Sequence, residues 1–225
     1  MPRIESSLKR LAEGNFICEV HFPDEFAVLS DPESRRRAEQ WLEDIGYRLV
    51  RLSDEGAFFM AHAVVTSEMR TKLRDELRTV RNRLEPMVGF MQTLRQAQGR
   101  NPQIHSGDVL WESEIGEAVR GSPLLERRLS EMRDFSGGRV TDSSLDRVRR
   151  MLSYLTSEGY LVETNPTSKG YTVTGKIEYL YQLIGFIAEN TSLLSDDDVV
   201  DQIDQQMRLD GAEPQTPEAT GTAPA

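Results

Sequence analysis

The sequence predicts a mainly α fold with small β wings, of the α+β class, and two observations carry that expectation. The first is a duplication. Gly-Tyr, a short strand, a polar turn ending in glycine and a short aromatic strand occur twice, each time directly after an amphipathic helix. One copy is Gly46-Tyr47-Arg48-Leu49-Val50, the turn Ser53-Asp54-Glu55-Gly56 and then Ala57-Phe58-Phe59-Met60. The other is Gly159-Tyr160-Leu161-Val162-Glu163, the turn Asn165-Pro166-Thr167-Ser168-Lys169-Gly170 and then Tyr171-Thr172-Val173. The second observation is the helical spacing of apolar residues through most of the remaining chain. A helix closed by glycine and followed by a hairpin of this size is the sequence form of a winged helix-turn-helix module. Two copies predict tandem winged-helix domains joined by long helices: a first domain over 1–65, connecting helix or helices over 66–98, a second domain with a final helix over 99–192, and a tail over 193–225.

Taken in order, Ile4 to Glu13 reads as a short amphipathic helix with Ile4, Leu8 and Leu11 on one face and Gly14 as its stop. Phe16 to Phe22 reads as a strand or extended lead-in. A capped helix follows, with Ser30 or Asp31 as the cap, Pro32 in its first turn and Glu33 at capping-box spacing from Ser30. Its buried face is expected to hold Ala38, Trp41, Leu42 and Ile45, with Arg35, Arg36 and Arg37 largely on the solvated side. Met69, Leu73, Leu77, Val80 and Leu84 form one helical stripe. Pro86 then kinks that helix or opens another to about Gln98, burying Val88, Met91 and Leu94.

After a polar loop over 99–107, a short helix is expected over 113–119 and another from Leu124 to about Met132, capped by Ser122-Pro123. Ser136-Gly137-Gly138 breaks the chain. A helix capped within Thr141 to Ser144 runs to Glu158, where Gly159 ends it. Beyond the second hairpin, Gly175 to Asn190 reads as a helix carrying Ile177, Leu180, Tyr181, Ile184 and Ile187, with Tyr179, Leu183 and Phe186 widening its apolar face. A helix apolar over more than half its circumference needs cover on two sides, which predicts a subunit or partner contact.

The net charge of −10 is uneven: acidic residues from Asp196 to Glu218 concentrate it in the tail, so the body is near neutral and basic faces can exist on it. The tail's charge, followed by Pro, Thr, Ala and Gly, predicts disorder. No apolar run reaches the roughly 18 residues of a membrane span, and no signal peptide opens the chain, so the cytoplasm is the expected compartment. Cys18 is the one cysteine, which excludes an intrachain disulfide and reads as a buried apolar thiol. His21, His62 and His105 have no metal-ligand spacing, so no metal and no cofactor are expected. No nucleophile elbow, phosphate loop or dinucleotide fingerprint is present, and no enzyme is predicted.

The second module is where chemistry concentrates. At 100° per residue, Leu145, Val148, Leu152 and Leu155 face inward while Arg147, Arg150 and Tyr154 share the opposite side and Arg149 sits on a flank. Arg147, Arg149 and Arg150 on the helix, with Lys169 at the turn, form a candidate phosphate-binding patch; the alternative is a simply solvated helix. Neither Asn nor Gln stands on the outward face, so contact independent of base sequence is expected. The first turn is acidic and would repel phosphate, and Phe58-Phe59 fits a core or a protein interface. Trp41, Phe58, Tyr179 and Phe186 are the candidate partner-binding residues.

Phe26 through Met60, with Tyr47-Arg48-Leu49-Val50-Arg51 and Glu55-Gly56-Ala57-Phe58-Phe59, the Met87-Val88-Gly89 step, and Leu145 through Val173 resemble the MksE and MukE proteins, the small accessory subunits of bacterial Muk/Mks condensins. The resemblance spans roughly residues 15 to 190. It implies a kite-type subunit of two winged helices that forms a homodimer, binds a kleisin (MksF/MukF-like), reaches an SMC ATPase (MksB/MukB-like) through the complex and contacts double-stranded DNA at the nucleoid. The DNA-contacting positions it implies are Arg147, Arg149 and Lys169, with Arg150 neighbouring. Where MukE-like chains carry further basic residues this one has Tyr154, Thr156 and Ser157, which implies DNA affinity mainly within the assembled complex. Related kite subunits serve plasmid-defence SMC complexes. A dimeric transcriptional regulator and a pure protein-interaction adaptor are the competing readings.

Overall fold

A computed structural model describes residues 4–54, 56–64, 66, 90, 94, 103–131 and 143–190. The stripe from Met69 to Leu84, most of the segment from Glu85 to Gln98, the breaker at 136–138 and the acidic tail lie outside the described residues. The described elements are helical with small antiparallel sheets, as the α+β expectation has it. None of their helices is long and apolar enough to cross a membrane.

In the first module α1 (Ile4–Ala12) ends where Gly14 adopts φ +79°, a left-handed conformation suited to glycine. Pro23 then starts α2 (Pro23–Ser30), with Asp24 and Glu25 in its first turn, a helix the sequence pattern did not announce. The segment over 16–22 contributes one bridge in place of a strand: Ile17 and Phe58 exchange both backbone hydrogen bonds at 2.8 Å. Asp31 caps α3 (Pro32–Asp44), its carboxylate accepting from the Ser34 amide at 2.9 Å. Ser30 closes α2 and its buried Oγ has no partner, so the capping box with Glu33 does not form.

Gly46, at φ +82°, turns the chain into β1 (Tyr47–Arg51), which pairs antiparallel with β2 (Phe58–His62) in the register Leu49↔Met60. The core of this module is Leu11, Ile17, Leu29, Ala38, Leu42 and Phe58. The expected buried face of α3 is corrected at two places: Trp41 is 40% exposed and Ile45 46%. Leu42 takes the inward position, and Trp41, a residue earlier, lies about 100° round the helix from it. Arg35 is also less solvated than expected. It donates to the carbonyls of Leu29 and Ser30 at 3.0 and 3.1 Å and lies over the Phe58 ring.

The second module runs β3 (Val109–Trp111), α4 (Glu112–Arg120), α5 (Pro123–Glu131), α6 (Ser144–Ser157), β4 (Leu161–Asn165), β5 (Gly170–Val173) and α7 (Lys176–Asn190). Its sheet has the order β3-β5-β4, all antiparallel. Ser143 and Asp146 form a reciprocal capping box at the start of α6, and Gly159 at φ +78° ends it. Gly170 has to be glycine for another reason: a Cβ there would sit 2.5 Å from the Trp111 ring, its neighbour across the ladder. Val148, Met151, Leu152 and Leu155 of α6 are buried with Leu110, Ile115 and Val119, and Ile177 and Leu180 of α7 close the same core. Phe90 and Leu94 belong to it as well.

α7 is also the joint between the modules. The Gly175 amide donates to Cys18 Sγ at 3.3 Å, Ser53 Oγ donates to Glu178 Oε2 at 3.0 Å, and Gln182 Nε2 donates to the Leu52 carbonyl at 3.2 Å. The Tyr179 ring packs 5.2 Å from Phe16 and 5.9 Å from Phe59, which stack on each other at 4.9 Å. The cover that α7 was expected to need from a partner is therefore supplied, around Tyr179, by the first module of the same chain.

Two glycines of this helix region behave oppositely. A Cβ on Gly175 would meet Cys18 Cβ at 2.9 Å and Ala57 Cβ at 3.1 Å, whereas one on Gly185 meets nothing within 4 Å. Gly175→Ala should destabilise the protein by about 1–3 kcal/mol through overpacking. Gly185→Ala should stabilise it by roughly 0.5–1 kcal/mol through reduced backbone entropy. Urea denaturation of both variants checks the pair.

Candidate nucleic-acid interface

The site is built where the start of α4, the outer flank of α6 and the β4–β5 turn meet. Glu112 opens α4, where the helix dipole favours a carboxylate, and among the described residues it is the one charged residue that is buried, at 7% exposure. Arg149 reaches it from α6, Nε donating to Oε1 at 2.7 Å, while Arg149 Nη1 lies 3.8 Å from Asp146 Oδ1. The hydrogen bond to Glu112, then its charge, raise the Arg149 pKa further above its ordinary value, so this group is a permanent cation.

The turn is fixed just as tightly. The Ser168 amide donates to Asn165 Oδ1 at 3.0 Å, and Lys169 sits at φ +52°, a left-handed conformation rare for a residue with a side chain. Its carbonyl accepts from the Glu112 amide at 3.1 Å, tying the turn to the start of α4. Its ammonium donates to Glu163 Oε1 at 2.8 Å, and this hydrogen bond raises the Lys169 pKa. Tyr171 lies among these charges, its hydroxyl pKa raised by burial first and by Glu163 and Glu112 next.

The structure thus ties Arg149 and Lys169 to one residue, Arg149 through the Glu112 carboxylate and Lys169 through the Glu112 backbone amide. It does not bring all four candidate cations together. Residues two apart on a helix diverge by about 160°, so Arg147 leaves α6 in nearly the opposite direction from Arg149. Arg147 is half-buried and its Nε is buried without a hydrogen-bond partner. Arg150 is also half-buried, about 60° from Arg147 round the helix.

The partner-binding candidates divide too. Trp41 is exposed on α3 and Phe186 is half-buried on α7. Tyr179 is occupied by Phe16 and Phe59. Phe58, at 1% exposure, belongs to the first core and presents no surface to a partner. Among the described residues, no group of three or more His, Cys, Asp or Glu side chains is placed to hold a metal ion.

Sequence reasoning missed the anionic half of the site. Glu163 and Lys169 flank one turn with opposite charges, a signal that was present. Glu112 and Arg149 are 37 residues apart, and nothing in a single sequence links them.

Two helix-and-hairpin modules are thus joined through a shared helix, with a small cationic cluster on the second. A family model for MksE, described as condensin complex protein MksE, matches residues 3–184. The chain belongs to that family and is therefore a condensin complex protein. No curated protein matches it.

The Arg149–Glu112 pair has unequal ends, the side chain of Arg149 being 54% exposed and that of Glu112 9%. Arg149→Ala leaves a buried carboxylate unpaired, whereas Lys169→Ala leaves a solvated one. Arg149→Ala should lower the thermal midpoint by on the order of 3 °C or more, and Lys169→Ala by less than about 1 °C. Adding Glu112→Gln to Arg149→Ala should recover part of the loss. Scanning calorimetry of the wild type and the three variants checks the ordering.

Proposed function

We propose that this chain is a non-enzymatic subunit of a bacterial condensin-like SMC complex that binds a kleisin as a homodimer and contacts duplex DNA without reading its sequence. Membership of the condensin family supports the first part. The second rests on one observation: Arg149 and Lys169, separate in sequence, converge beside Glu112 on the second module. The order β3, helices, hairpin, with β3 paired to β5, supports a winged-helix reading of that module, in which α6 and the β4–β5 turn are the elements that approach DNA. Arginine and lysine at such a site neutralise phosphates and distinguish no base pairs.

Trp41 on α3 and Ile45, the residue just past its end, are exposed about one turn apart and in this reading form the apolar contact for the kleisin. The Ser53–Gly56 turn is not available for this role, because Ser53 and Leu52 are engaged by α7.

Co-expression with a kleisin and an SMC protein from the same organism is the direct test. The wild-type chain should co-purify with both, and failure to hold either overturns the proposal. Trp41→Ala should weaken kleisin retention roughly tenfold or more, as loss of an aromatic anchor does. Within the assembled complex, Arg149→Gln and Lys169→Gln should each lower affinity for random-sequence duplex DNA and reduce the slope of log K against log salt by about 1, leaving the partners bound.

A further inference from the structure

We propose that Glu163 is an intramolecular competitor for DNA: it occupies the ammonium of Lys169 in the free protein, and a phosphate binds the turn by taking that ammonium from it. The inference rests on the reading that the second module meets DNA, and adds to it a residue that sets how strongly it does so.

The two cations of the site differ in what holds them. Arg149 is bound to a carboxylate whose side chain is only 9% exposed, so releasing it would strand a buried charge; phosphate can approach Arg149 only through donors that Glu112 leaves over. Lys169 is bound to a carboxylate with a side chain 33% exposed and is itself 50% exposed. A pair this open to water is weak and exchanges readily. Its geometry also favours exchange of the partner over movement of the turn. The Lys169 backbone is held through its carbonyl by the Glu112 amide, and the turn by Asn165. Only the ammonium is left to be redirected.

The carboxylate acts on binding in the opposite sense to the ammonium. With Glu163 in place, the turn carries a balanced pair, and an approaching phosphate gains the lysine only after the carboxylate loses it. Both anions want the same donor, and Glu163 remains nearby as a like charge to the phosphate. Replacing Glu163 by its neutral isostere removes the competitor without altering the turn.

The test is a four-protein cycle of wild type, Glu163→Gln, Lys169→Gln and the double variant, each within the assembled complex, titrated with random-sequence duplex DNA over a range of salt. Glu163→Gln should tighten binding by about threefold to tenfold, and Lys169→Gln should weaken it. In the Lys169→Gln background, Glu163→Gln should give a clearly smaller gain, because the ammonium it competes for is gone and only its like charge to the phosphate is removed. An equal gain from Glu163→Gln in both backgrounds would mean that the carboxylate acts only through the general field, and would overturn the competition. So would a Lys169→Gln loss with no Glu163→Gln gain. If neither Lys169→Gln nor Arg149→Gln changes DNA affinity, the DNA reading of the module itself fails, an outcome distinct from the other two.

Discussion

The docking of the first turns of α7 against the first hairpin is the constraint on which the rest of the molecule depends. Ile177 and Leu180 belong to the second core, while Glu178, Tyr179 and Gln182, on the same stretch of helix, reach the first module. One short segment thus has to satisfy two packing environments at once. It does so because Gly175 brings the backbone against Cys18 and Ala57 with no room for a side chain. Lys176 sits inside this joint, its ammonium bound to the Glu158 carbonyl at the end of α6 and lying over the rings of Phe16 and Tyr160. Burial pushes its pKa down, and the nearby Glu158 charge opposes that shift. Two ring faces and a helix C-terminal carbonyl are the groups that best offset the desolvation of a lysine with no carboxylate in direct contact.

That joint puts two hairpins of similar sequence in different surroundings. The first spends its turn on α7: Ser53 and Leu52 bond to Glu178 and Gln182, and Phe59 stacks in the aromatic group around Tyr179. The second hairpin has a third strand, β3, beside it, and its turn is anchored to the start of α4 through the Lys169 carbonyl. The side chains of Lys169 and Arg149 remain about half exposed. Assembly within the chain uses one turn and leaves the other facing solvent.

The features legible in the sequence were those written in local chemistry. Gly46 and Gly159 end helices at positive φ, Ser143 and Asp31 cap them, and the period of Val148, Leu152 and Leu155 marks the buried face of α6. The features missed depend on distant partners or on very short elements. β3 has three residues, too few for an alternation to register. α2 has eight, with Phe26, Val28 and Leu29 bunched at one end, so no stripe announces it. The breadth of the α7 apolar face predicts a partner contact, but a single sequence does not say whether a partner or the same chain covers it, and around Tyr179 the same chain does. Apolar neighbours at helical spacing point Trp41 inward, yet Leu42 takes the inward position; periodicity alone does not decide between two large residues a step apart.

The contrast between the two cations ties the fold to the way such a subunit would hold DNA. A cation locked to a buried carboxylate keeps its position whatever is bound, because moving it exposes an unpaired charge in a poorly solvated place. A cation paired in water changes partner at little cost and follows the ligand. Arg149 is of the first kind and Lys169 of the second, and the Glu112 residue holds both, one through its carboxylate and one through its backbone amide. A protein that must grip DNA of any sequence and let it move needs a fixed point of contact and an exchangeable one. On the proposed DNA reading, Arg149 held by buried Glu112 would be the fixed point, because Glu112 belongs to the framework of α4, and Lys169 with its exposed partner would be the other.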